Sequence, residues 1–242
     1  MSEPMSWSPA MSPDRIAAVR ALQRTVGSRL LGATLGLDDE AWHAPSLLPG
    51  WTRGHIGTHL ARNAEALARV VGGVLEGTEP GMYDSTEARN ADIEGGAGRD
   101  HLSIQEDMDQ ATYTLVGAFD QLSAEHWQQW VTMRPNMRVP VAMLPLGRVV
   151  EVVLHHIDLG LEFTAADLDD ATAAPMLDWL VLILGQRPGA EPLTLTSTDG
   201  TSWRLGTGTP GPEVTGGPSQ LVTWLTGRGG RVDGADVTPP AL

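Results

Sequence analysis

Cysteine is absent from the 242 residues. That excludes disulfides, a cysteine nucleophile and every cysteine-ligated metal site. Thiol chemistry, if there is any, must use a thiol that arrives with a small molecule. A chain without cysteine also suits the cytoplasm, where thiols stay reduced. Positive charge is scarce as well. Sixteen Lys and Arg face 30 Asp and Glu, for a formal net charge of −14. This argues against general binding to nucleic acid or to an anionic membrane, both of which need a basic surface. Local arginines can still hold an anion. Long apolar runs are missing too, since none approaches the roughly 20 residues that span a bilayer. The longest, around Leu177–Leu184, is interrupted by Asp178 and suits a buried helix. Met1–Pro13 is rich in Ser, Pro and Met, with no basic segment leading into an apolar core, and does not read as a signal peptide.

The apolar fraction is 41 %. A chain of this length buries most of its unfolded surface and folds without a staple. Length alone suggests one large domain or two small ones. Helical periodicity predicts a first helix over Pro13–Leu35, started by Ser12-Pro13-Asp14 and striped by Ile16, Val19, Leu22, Val26 and Leu30. After a loop over Gly36–Arg53, a second helix is expected over Gly54–Leu75. A long polar connection, Glu76–Arg99, follows, with helix expected in Ser85–Ile93. Connections of this length are often functional. A third helix is expected over His101–Leu122 and, after a Pro-containing loop, a fourth over Leu144–Phe163. Four helices with long connections read as a bundle.

Past Thr164 the pattern changes. One helix is expected over Ala174–Gly185. Two strands, Leu193–Thr198 and Thr201–Leu205, are joined by Asp199-Gly200, a strong hairpin signal. Glu213–Thr215 reads as a third strand, Ser219–Thr226 as a short helix and Gly227–Leu242 as an irregular tail. No internal repeat is visible. The expected class is α+β: a helical bundle over residues 1–165 and a small α+β domain over 166–242.

On the second helix, His59 and Asn63 fall inside the apolar stripe between Ile56 and Leu67, with His55 at its margin. A His and an Asn turned into a core need partners, because each unpaired buried polar group costs roughly 1–3 kcal/mol. On the fourth helix Glu151 and His155 are four apart and share a face, extended by Arg148 and Asp158. Periodicity leaves this stripe open between a solvent face and one wall of a site. Taken together, His59, Glu151 and His155 could meet at one point, because bundle cores are where facing helices build metal sites. Two His and one Glu leave a tetrahedral ion one open position, which is the catalytic pattern. Several divalent metals suit such a set.

The same residues carry a resemblance. Leu48-Pro-Gly-Trp-Thr-Arg-Gly-His-Ile-Gly-Thr-His59, with Asn63 beyond it, resembles the opening motif of the mycothiol-dependent maleylpyruvate isomerases, which are DinB-like helical-bundle metalloproteins. Met82-Tyr-Asp-Ser-Thr-Glu-Ala-Arg-Asn90, Glu151-Val-Val-Leu-His-His-Ile-Asp-Leu-Gly160 and Gly227-Arg-Gly229 are similar in the same order. The resemblance implies a DinB-like four-helix bundle, with His59, Glu151 and His155 as zinc ligands. It further implies Arg89 and Arg228 as arginines that touch carboxylates of substrate or cosubstrate, Arg228 and Asn63 as cosubstrate contacts, and mycothiol as the thiol. The implied activity is cis–trans isomerisation of maleylpyruvate to fumarylpyruvate. Thiol S-transferases of the same superfamily, and a metal-binding module without catalysis, are the competing readings.

Overall fold

The computed structural model describes residues 11–134, 137–206, 208–209 and 211–234. Its order is α1 (Pro13–Thr34), α2 (Asp39–His43), α3 (Arg53–Glu76), α4 (Thr86–Ala97), α5 (His101–Asp120), β1 (Trp130–Arg134), β2 (Met137–Pro140) and α6 (Leu144–Asp158). Then follow α7 (Asp170–Gly185), β3 (Leu193–Ser197), β4 (Ser202–Leu205), β5 (Glu213–Gly216) and α8 (Pro218–Leu225). The fold is α+β, mostly helical with small sheets. Two compact units emerge: Ala17–Phe163, and the chain from Thr164 onward with the segment that ends at Ile16.

In the helical unit the long helices α1, α3, α5 and α6 bury their apolar stripes. Val19, Val26 and Leu30 point inward from α1, Ile56, Leu60, Leu67 and Val71 from α3, and Ile104, Met108, Leu115 and Phe119 from α5. Helix α3 is central and packs on α4, α5 and α6. Its start is a capping box in which His55 takes the usual Glu place. Thr52 Oγ1 accepts from the His55 backbone N–H, and His55 Nδ1 accepts from the Thr52 N–H.

Helix α4 occupies the connection in which only Ser85–Ile93 was expected to be helical. Ser85 caps it by accepting from the Ala88 N–H. It continues to Ala97 because its end is packed onto α3. A Cβ at Gly54 would stand 2.3 Å from Ala97 O, so only glycine permits this approach. Helix α6 stops at Asp158, short of the expected Phe163. Gly160 takes φ +63°, and Arg53 Nε donates to Leu159 O at 2.7 Å, satisfying a carbonyl the helix end leaves open. Two elements were not foreseen: α2, and the antiparallel β1–β2 hairpin where a loop was expected. The inward positions of β1 are only Val131 and Met133, too short an alternation to stand out.

The C-terminal unit is a three-stranded sheet in the order β4-β3-β5. The Asp199-Gly200 hairpin forms as expected, with Gly200 at φ +87° and the Thr201 N–H bonded to Asp199 Oδ1. Strand β5 runs parallel to β3. Helix α7 packs on β4 and α8, while α8 packs on β3 and β5. Helix α7 begins four residues before the expected Ala174, because Asp169 caps the Thr172 N–H at 2.7 Å. Part of the expected irregular tail is ordered, since Asp233 pairs with Thr215 beside β5. The expectations for Met1–Ala10 and for the tail beyond Gly234 lie outside the described residues. Among the described residues no helix is long and apolar enough to cross a membrane.

Candidate metal centre

Helices α3 and α6 bring three of the expected residues together. One ligand atom from each of His59, Glu151 and His155 lies within 4.8 Å of the others. His59 Nε2 is 3.0 Å from Glu151 Oε2, and His155 Nε2 is 3.5 Å from the same oxygen. Donors around a tetrahedral zinc, with bonds near 2.0–2.1 Å, stand about 3.3–3.4 Å apart. The donor set and its spacing therefore fit a divalent ion without rearrangement of the helices. Burial is graded across the site. The His59 side chain is 5 % exposed and that of His155 14 %, whereas Glu151 is 34 % exposed and opens the site to solvent.

His155 is held from behind. Its Nδ1 donates to Asp158 Oδ2 at 2.9 Å, so Nε2 is the ring nitrogen that faces the centre and would ligate an ion there. A carboxylate in this role fixes both ring orientation and tautomer. Asp158 is 2 % exposed and Arg148 3 %, so the stripe on α6 is not a solvent face. That settles the alternative the periodicity left open. His59 packs edge-on against the His155 ring, with centroids 4.7 Å apart, and against Trp51 at 5.8 Å.

The electrostatics follow from burial and close pairing. Burial pulls the His59 pKa down to about 4, with His155 and Arg89 adding to the fall and Glu151 opposing it. His59 is thus neutral at physiological pH, as a ligand must be. Burial pushes the Glu151 carboxyl up, but the hydrogen bonds from His155 and His59 outweigh it and hold the group well below its ordinary value. Burial lowers His155, yet its bonds to Asp158 and Glu151 raise it overall.

The remaining expected residues divide. Arg89, on the first turn of α4, brings its Nη2 to 3.1 Å from His59 Nδ1. Its guanidinium lies 5.8 Å from the centre of the Tyr83 ring, and its Nε is buried with no partner among the described residues. Asn63 is buried one turn after His59 and accepts from Arg148. Arg228 belongs to the C-terminal unit. It sits between Gly227 and Gly229, both at positive φ, and its Nη1 donates to Thr226 O at 2.8 Å. His55 has metal-ligand spacing to His59 but turns away to Thr52 and Glu94. Trp51 and Arg148 were not singled out as site residues in advance. Trp51 had no signal beyond its place in a motif, and Arg148 shared a stripe that solvent would have explained equally well.

A model of the mycothiol maleylpyruvate isomerase N-terminal domain matches residues 23–160, more than half of the chain. Two solved structures are similar over nearly the whole length. One is a mycothiol-dependent maleylpyruvate isomerase, with a TM-score of 0.77, and the other is a His-to-Ala mutant of it, with a TM-score of 0.78. In each case the identity is 26 %, and 94 % of this chain and 97 % of the other are covered. Curated proteins give no match.

Proposed function

Because the chain belongs to the mycothiol maleylpyruvate isomerase family, we propose that it isomerises maleylpyruvate to fumarylpyruvate with mycothiol as a catalytic thiol. The observation that carries this reading is the convergence of His59, Glu151 and His155, since they come from two of the motifs in which the resemblance lies. Zinc held by these three would keep a coordinated thiol as thiolate near neutral pH and leave a position open for it.

The chain's own residues supply the rest. Addition of the thiolate sulfur to the cis double bond makes that bond single and shifts its electron pair into the adjacent carbonyl. Rotation and expulsion of the same thiolate restore the double bond as trans, so the thiol is returned unchanged. Asp158 holds the His155 Nδ1 proton, which leaves Nε2 as the nitrogen that would hold the ion. Arg89 stands beside His59 with an unused buried Nε. It is suited to gripping a substrate carboxylate by paired hydrogen bonds and to stabilising the developing enolate. Arg228, on its glycine-flanked loop, serves as the second carboxylate-binding arginine, and Asn63 contacts the thiol. Cytoplasmic reducing conditions suit an enzyme that depends on a free thiol.

Maleylpyruvate incubated with protein and substoichiometric mycothiol tests the reading. Many turnovers per thiol are expected. Conversion that stops at one equivalent of thiol would instead establish an S-transferase. Purified protein with far less than one zinc per chain, unchanged in His59→Ala, would favour a module without a metal-dependent reaction. Arg228→Ala is expected to lower turnover by about a hundredfold, the usual order for a lost charge-stabilising donor, with metal content intact.

A further inference from the structure

Arg148 has no part in the ligand set or in the proposed chemistry, yet it is a fully enclosed charge beside both. It lies on α6 one turn before Glu151 and is 3 % exposed. Its Nη1 donates to Leu60 O and to Asn63 Oδ1, both at 2.9 Å, and its Nη2 to Thr112 Oγ1 at 3.4 Å. Among the described residues no carboxylate forms a salt bridge with it. Burial brings its pKa down to about 10, so it remains a cation at neutral pH. Such a cation is costly to bury unless its hydrogen bonds serve something.

What they serve follows from donor chemistry. A guanidinium has five donors and no acceptor. Asn63 must therefore turn its oxygen toward Arg148. An asparagine amide can usually rotate between two nearly equivalent orientations, but here only one satisfies the pair. The Asn63 Nδ2 group is left pointing elsewhere as a donor. It has no protein acceptor among the described residues, and it is not one of the sealed, unpartnered atoms such as Thr58 Oγ1 or Arg89 Nε. It therefore reaches accessible space. Asn63 is four residues after His59, about 5–6 Å along the same face of α3. That distance suits an oxygen several bonds away from a sulfur held at the metal centre.

We infer that Arg148 is a positioning residue: by occupying Asn63 Oδ1 it presents Asn63 Nδ2–H as a fixed donor to an acceptor oxygen of the incoming thiol. The inference rests on the reading of the site as a thiol-dependent metal centre, and it deepens that reading by separating the residue that touches the thiol from the one that aims it.

The test is calorimetric titration of the zinc-loaded protein with mycothiol, with zinc content and Tm measured alongside. Asn63→Asp keeps a charged partner for Arg148, so Tm is held or raised, but it has no N–H to offer. Mycothiol affinity is expected to fall about tenfold, the order of one lost hydrogen bond, with zinc still near one per chain. Arg148→Gln can accept as well as donate, which frees the Asn63 amide to rotate, and a similar fall is expected. Arg148→Lys still only donates and should stay within about threefold of wild type. Wild-type affinity in Asn63→Asp overturns the inference. So does an Arg148→Gln protein with a lower Tm but unchanged affinity, because that is the result of packing alone. Wild-type protein that binds mycothiol but does not isomerise maleylpyruvate removes the proposed reaction and leaves this inference standing. Wild-type protein that binds no mycothiol removes both.

Discussion

The two units of the chain bury polar side chains to different ends. In the helical unit, His59, Asn63, Arg148 and Asp158 are all buried, and each is bonded to a residue from another turn or another helix. The bonds of His59 and Asp158 lead to the point where His59, Glu151 and His155 meet, and Arg148 and Asn63 bond to each other one turn away from it. In the C-terminal unit the buried polar groups close on themselves. Thr223 Oγ1 returns to Ser219 O and Thr226 Oγ1 to Val222 O, one turn back along α8. Asp178 pairs with Arg15 and accepts from Trp203 Nε1 at 2.8 Å. Burial of a polar group is therefore not what marks a site. Convergence is, when several such groups leave donor atoms aimed at shared space.

This contrast is most exposed to His59→Ala. Removing one of three ligands is expected to cut zinc affinity by more than the roughly hundredfold that follows loss of a partner that only orients a ligand. Elemental analysis of purified protein reads this directly, and activity should disappear with the metal. Retention of one zinc per chain would mean that the convergence is not a metal site. The reciprocal probe is Leu195→Ala, at a position on β3 with no exposure. It is expected to destabilise the C-terminal unit by about 2–5 kcal/mol, seen in chemical denaturation, while the native protein keeps its full zinc content. Metal loss there would break the separation between the units.

Asp158→Asn comes next. The amide can still meet His155 but no longer offers a charge to the ring, so zinc affinity should fall by roughly 10–100-fold, measured by competition with a chelator. The smallest effect is expected at Asp178. Burial pushes its carboxyl up, against the opposing pulls of Trp203 and Arg15. Between the ordinary carboxylate pKa and the raised value, the folded chain holds a proton that the unfolded chain has released. Stability contributed by this group is therefore lost as the pH rises through that window. Asp178→Asn removes the slope, so its Tm should gain on wild type as the pH climbs from about 4 to neutrality. A parallel pair of Tm profiles would show that the ion pair with Arg15 governs the group instead.

Much of the fold was legible because it depends on local signals. The Ser12-Pro13 start of α1, the stripe of α3 and the Asp199-Gly200 hairpin each lie within a few consecutive residues, and all three formed as expected. The misses share a physical cause. Helix α4 has poor intrinsic helix formers in Gly95 and Gly96, and Gly96 makes sense only once α3 is packed against it, where a Cβ would stand 2.4 Å from Thr58 Cγ2. The β1–β2 hairpin is too short for its alternation to register. The end of α6 is set by Arg53, more than a hundred residues away along the chain.

The candidate site divides in the same way. Residue type and spacing alone placed His59 in an apolar stripe and Glu151 with His155 on one face, because a helix fixes which side chains are neighbours four residues apart. Spacing could not decide whether the α6 stripe faces water, since that depends on which helix packs against it. Only the tertiary structure turned Arg148 and Asp158 inward, set Arg89 against His59 and joined two helices' donors at one oxygen of Glu151. The absence of cysteine was fixed by the sequence from the outset. It requires any thiol to come from outside, and the packing of α3 against α6 is what brought His59, Glu151 and His155 to one point.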